Sequence, residues 1–182
     1  AMNSGLRDWR QKGSKAIANS PAVAARMDWD TGTGLMIGAS MFSGNSGQDE
    51  AVTNREDLAT SITDVHAQFD SGPLRIRGLW ASGSIGRDSG VDEEIGGWYL
   101  EAGYDLFAGS SSSSSLTPFI RTGAYDLDSD DTATGSEIDN LTIGVAWQPI
   151  DEIIFKVDST TNSFADGSDD EDILGVSVGY VF

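Results

Sequence analysis

His66 is the only histidine in the 182-residue sequence, and there is no cysteine. Disulfides, thiolate nucleophiles and Cys-ligated zinc are therefore excluded, and a His-based metal site has little to draw on. Asp64 and Asp70 stand in period-two phase with His66, and serines are plentiful. An imidazole oriented by a carboxylate and activating a serine would be the route to acyl-transfer chemistry. No serine lies in a Gly-x-Ser-x-Gly turn, however. His66 reads as a polar group on an interior wall, and no enzymatic activity or organic cofactor is expected.

The bases suggest different chemistry. Arg26, Arg75, Arg77, Arg121 and Lys156 all lie in alternating segments, on the polar phase of each. Bases lining a water-filled interior favour anions. Alternatively they only pair with Asp28, Asp64, Glu101, Asp105 and Asp158 on the same wall. The acids concentrate between the alternating segments. One such stretch, Asp126-Leu127-Asp128-Ser129-Asp130-Asp131, has Glu137 at the twelfth position of a calcium-loop pattern. Asp126, Asp128, Asp130 and Glu137 are thus candidate Ca²⁺ ligands, although the sixth position is Asp131 rather than glycine. The other reading is a set of solvated acidic loops. Near the start, Arg7, Arg10, Lys12 and Lys15 make residues 1–20 a basic segment. It reads as an extracellular loop, a constriction folded into a channel, or a disordered end.

The elements that must position these groups are strands. Leu141, Ile143, Val145 and Trp147 alternate with Thr142, Gly144 and Ala146; Leu174, Val176, Val178, Tyr180 and Phe182 alternate with Gly175, Ser177 and Gly179. The same period of two recurs along the chain and predicts nine strands, at about 22–30, 34–43, 61–70, 74–85, 96–106, 116–126, 140–147, 152–160 and 172–182. Residues 21–182 thus read as one all-β unit. Tight turns are expected at Thr31-Gly32-Thr33, Ser71-Gly72-Pro73 and Gln148–Asp151, with long acidic connections at 44–60, 86–95, 127–139 and 161–171. Gly109 and the serines 110–115 fall on the short-turn side as an insertion without chemistry.

Composition narrows the class. Lys and Arg total 11 against 29 Asp and Glu, a formal charge of −18, which argues against a nucleic-acid surface. No run of 18 apolar residues provides a transmembrane helix. A soluble sandwich or lipocalin-like binder would turn its apolar phase inward, whereas a membrane barrel turns it to lipid. The aromatics favour the barrel, because Trp29, Phe69, Trp80, Trp98, Tyr104, Trp147, Tyr180 and Phe182 gather toward strand ends as an interfacial girdle would. The Gly- and Ser-rich polar phase and the terminal Phe182 point the same way.

Four stretches carry a resemblance, taken in order: Gly97–Leu106 (GWYLEAGYDL), Leu116–Arg121 (LTPFIR), Leu141–Pro149 (LTIGVAWQP) and Ile153–Asp158 (IIFKVD). They resemble the C-terminal half of porins of the phosphate-selective O and P type, well over about residues 90–182 and more loosely before. The resemblance implies a trimeric channel in the Gram-negative outer membrane that prefers anions such as phosphate, with lipid and lipopolysaccharide as surroundings. That family's phosphate-binding residues do not carry over individually. Nine strands is an odd number and bacterial single-chain barrels use even ones, so the expectation is an antiparallel up-and-down transmembrane barrel of which this chain supplies part. The alternative is a small non-conducting barrel with a structural or surface-binding role through its acidic loops, which would bind divalent cations.

Overall fold

A computed structural model describes residues 20–45, 58–87, 93–110, 113–127 and 135–180. Nine strands run up and down in one antiparallel sheet, each hydrogen-bonded to its sequence neighbour. They are β1 (Val23–Asp30), β2 (Leu35–Asn45), β3 (Leu58–Ser71), β4 (Leu74–Arg87), β5 (Glu93–Tyr104), β6 (Ser115–Asp126), β7 (Glu137–Ile150), β8 (Ile153–Phe164) and β9 (Glu171–Tyr180), and there is no helix among the described residues. β1 and β9 form the two edges of this sheet.

Each predicted strand is present, but several run past the ends expected from alternation. β7 begins three residues earlier than expected and ends three later, and β8 continues to Phe164. The extensions carry Glu137, Asp139, Asn162 and Ser163, which ladder hydrogen bonds hold without needing an apolar partner. The last connection therefore shortens to residues 165–170. There the Ser168 amide donates to Asp166 Oδ1 at 2.8 Å. The Ser168 hydroxyl, and after it that amide bond, hold the Asp166 carboxyl below its ordinary range. At the other end, β3 and β4 join through Gly72 and Pro73, a two-residue loop that sets Ser71 opposite Leu74 and Asp70 opposite Arg75. The connection after β5 is closed by Asp105, whose Oδ1 accepts the amides of Phe107 and Leu116, each at 3.0 Å. Asp105 thus organises a turn rather than pairing with a base of the wall.

The register places the alternating residues on two faces of opposite character. One row runs Trp80, Trp98, Ala124 across β4–β6, and another runs Val145, Val157, Val176 across β7–β9. Along β7 every second side chain, from Leu141 to Trp147, is exposed, while Asn140, Thr142, Gly144 and Ala146 between them are half-buried. A flat sheet would expose both faces alike, so this sheet curves, with the apolar face convex and the polar face concave. Leu174, Val176 and Met27 are 73–76 % exposed on the convex side, and among the described residues only Ile85 and Ala124 are buried apolar side chains. There is no hydrophobic core beneath the sheet in the described residues. Trp147 and Phe155 stack near the short-turn end of the convex face, with ring centroids 5.5 Å apart.

The convex face makes a direct prediction. Were this face covered by lipid, Ile143→Arg would place a charge in its middle and cost about 2–4 kcal/mol of stability there. Thr160→Arg, on the concave face, should refold into vesicles at close to wild-type yield. Comparing the two by denaturant titration in vesicles checks the assignment; equal losses would contradict it.

Candidate functional site: the concave wall

All five sequence-predicted bases lie on the concave face, as their phase demands, but they divide into three settings. Arg75, Arg77 and Lys156 line a cleft of about 410 Å³ at the short-turn end, together with Asp70, Glu101 and Phe119. Arg75 pairs with Asp70 at 2.6 Å, Arg77 with Glu101 at 2.7 Å, and Lys156 with Asp158 at 3.1 Å. The register explains the first two: Asp70 opposes Arg75, and Glu101 lies between Arg77 and Arg121 on its two neighbouring strands. Lys156 also lies 5.6 Å from the centroid of the Phe119 ring. That ring packs against Gly144, where an added Cβ would come within 2.7 Å of both Phe119 and Asp158. The missing side chain lets the aromatic lie down on the wall beside the ion pair.

Arg26 is apart from this group, on edge strand β1. Its guanidinium donates to both oxygens of Asp28, at 2.8 and 3.0 Å. His66 continues the network from β3. Its Nδ1 donates to Asp64 Oδ1 at 2.7 Å, and its Nε2 lies 2.8 Å from Asp28 Oδ1 and 2.9 Å from the Arg26 guanidinium. Ionised Asp28 only accepts and Arg26 only donates, so these two contacts require opposite protonation of one nitrogen. The Ser40 hydroxyl donates to Asp64. The serine is therefore joined to the carboxylate and not to the imidazole, and among the described residues His66 meets two aspartates and an arginine rather than a hydroxyl.

Gly38 makes the crossing possible. It sits between Asp28 and His66 in register, and a Cβ there would collide with the His66 Nε2 and Asp28 Oδ1 atoms. Three strands are bridged over a backbone that carries no side chain at the crossing point.

Arg121 is the fifth base and differs from the rest. It lies 4.0 Å over the centroid of the Tyr99 ring. Among the described residues it is the one base of the five without a carboxylate partner.

Asp126 and Glu137 of the proposed calcium loop stand opposite each other where β6 and β7 begin to pair, and the Ser136 hydroxyl donates to Asp126. Asp128 and Asp130 lie outside the described residues, as do residues 1–19. Sequence reasoning missed Asp70 as the partner of Arg75, Gly38 as the crossing point and Tyr99 beneath Arg121. The two-residue turn at Gly72-Pro73 was the signal for the first, since it dictates the 70–75 pairing. The other two depend on cross-strand register, which alternation within one strand does not contain. Comparison with family models, curated proteins and solved structures found no match to this chain.

Gly38→Ala should displace the His66–Asp28 contact and destabilise the fold by about 1–3 kcal/mol. Gly96→Ala is the control, because its added Cβ meets only the Ala81 carbonyl at 3.7 Å; it should stay within about 0.5 kcal/mol of wild type. Urea midpoints of the refolded proteins check both.

Proposed function

We propose that this chain forms part of the wall of an antiparallel β-barrel in a bacterial outer membrane, and that the barrel passes small hydrophilic solutes passively, favouring anions such as phosphate. The observation that carries this reading is the pairing of opposite faces. A predominantly apolar exposed face backs onto a concave face whose short-turn end and β1 edge carry the bases and acids. Lipid covers the first in this reading, and water fills the space behind the second. No covalent step is involved. Arg26, Arg75, Arg77, Arg121 and Lys156 face the solute path, and selectivity arises from their field on a passing ion.

The direction of the edge strands supports a larger barrel. β1 and β9 run the same way across the sheet, because an even number of reversals separates them. A bilayer does not tolerate open strand edges. Antiparallel closure then takes an odd number of further strands between β9 and β1, which restores an even total. A second copy in the same orientation offers only edges of the same direction. The trimer implied by the resemblance would be an association of closed barrels.

One observation favours a second reading. Four of the five bases already have a carboxylate within ion-pair distance. In a narrow barrel such pairs fill the interior and leave a non-conducting wall with a structural or surface-binding role, its acidic loops meeting divalent cations and lipopolysaccharide.

Conductance in a planar bilayer under a KCl gradient separates the two. The porin reading expects discrete steps with a chloride-favouring reversal potential. It also expects Arg75→Glu/Arg77→Glu to abolish that preference while the steps remain. Folded, membrane-inserted protein that never conducts would favour the plugged wall.

A further inference from the structure

The upper half of the concave face, toward the long connections, has a chemistry that passage of phosphate does not require. Across β3 to β6 several of its side chains are apolar although they face away from the convex surface. Ile62, Leu79, Ile95 and Tyr125, from β3 to β6, line a cleft of about 300 Å³; its charged groups are Arg121, which lies on Tyr99, and Asp126, which accepts a hydrogen bond from the Ser136 hydroxyl. Ile85, on the same face, is only 2 % exposed. A wall that served only hydrated ions would gain nothing from isoleucine and leucine at these positions, since apolar surface does not replace an ion's hydration.

Size, polarity and charge together select a ligand class. The cleft is at the small end of the range for organic ligands, and of its two charged groups Asp126 is held by Ser136 whereas Arg121 has no carboxylate partner among the described residues. Arg121 is fixed by the Tyr99 ring, and its fork of N–H donors matches a carboxylate in geometry. We propose that this cleft binds monocarboxylates with an apolar tail, the carboxylate on Arg121 and the tail against Ile62, Leu79 and Ile95. Tyr99 is a positioning residue that holds the guanidinium flat and away from the carboxylates of neighbouring strands. The site gives the channel a preference among anions: an amphipathic acid is held at this level, whereas inorganic phosphate lacks the tail that the cleft accommodates. This inference rests on the reading of the concave face as water-filled.

The test uses the full chain in lipid nanodiscs and three probes: hexanoate, hexylamine and inorganic phosphate, each titrated calorimetrically against protein-loaded and empty discs. Hexanoate should bind saturably above the empty-disc background, hexylamine should not, and phosphate at equal concentration should not displace hexanoate. Arg121→Gln should weaken hexanoate by about tenfold or more, the scale of a lost charge-assisted hydrogen bond. Leu79→Asn should weaken it while leaving Arg121 in place, which guards against a variant that merely fails to fold. Equal binding of hexanoate and phosphate, or hexanoate affinity unchanged in both variants, would overturn the proposal. Saturable hexanoate binding in a chain that does not conduct would uphold the cleft and contradict the porin. Conductance without hexanoate binding would uphold the porin and contradict the cleft.

Discussion

Burial of apolar side chains is what ordinarily repays the entropy of ordering a chain, each large one contributing about 1.5–3 kcal/mol when removed from water. In this sheet most of the large exposed apolar side chains stand on the convex face, where the described residues leave them uncovered. In water that contribution would go unrealised, and contiguous exposed apolar surface of this kind marks a protein or membrane interaction site. The rest of the structure follows from this placement. The charged groups of the strands gather on the concave side, chiefly at its short-turn end and β1 edge, and there they meet one another as ion pairs and hydrogen bonds instead of lying against a core.

That arrangement explains how the concave wall is built. A charge facing an enclosed interior needs a partner close by. Antiparallel register supplies one directly opposite or one strand away, as with Asp70 and Arg75 or Arg77 and Glu101. Glycines make room where two side chains must meet across a third strand, Gly38 beneath the His66–Asp28 contact and Gly144 beside Phe119 and Asp158. The wall is therefore largely neutralised at its short-turn end and its β1 edge, and carries an unneutralised cation at Arg121. Local charge along the concave wall is set by these contacts; the formal −18 of the chain derives mostly from acids in the connections.

Much of this was legible in the sequence. Period-two alternation located the nine strands and assigned Arg26, Arg75, Arg77, Arg121 and Lys156 to one face, because a strand permits only two faces and the apolar residues occupy the other. It underestimated strand ends such as Glu137–Asp139 and Thr161–Phe164, since hydrogen-bonded pairing continues where the apolar pattern fades. It did not show which acid meets which base. Asp105 looked like a wall carboxylate and is instead bound to two backbone amides of its turn. Asp64 looked like a partner for a base and is occupied by His66 and Ser40. Such partners are chosen by register between strands, which here follows from turn length, legible at Gly72-Pro73 but not across the long connections.

The central claim is that the convex face meets lipid and the concave face meets water. The chain has no cysteine, so single cysteines along β7 can each carry a nitroxide label without background. Power-saturation spectroscopy in vesicles, with oxygen as the lipid-soluble relaxant and a nickel chelate as the aqueous one, reads the environment position by position. Labels at Leu141, Ile143 and Val145 should respond to oxygen, and labels at Thr142 and Ala146 to the nickel chelate. The response should alternate from one residue to the next. A uniform aqueous response along the strand, or the opposite phase, would contradict the account.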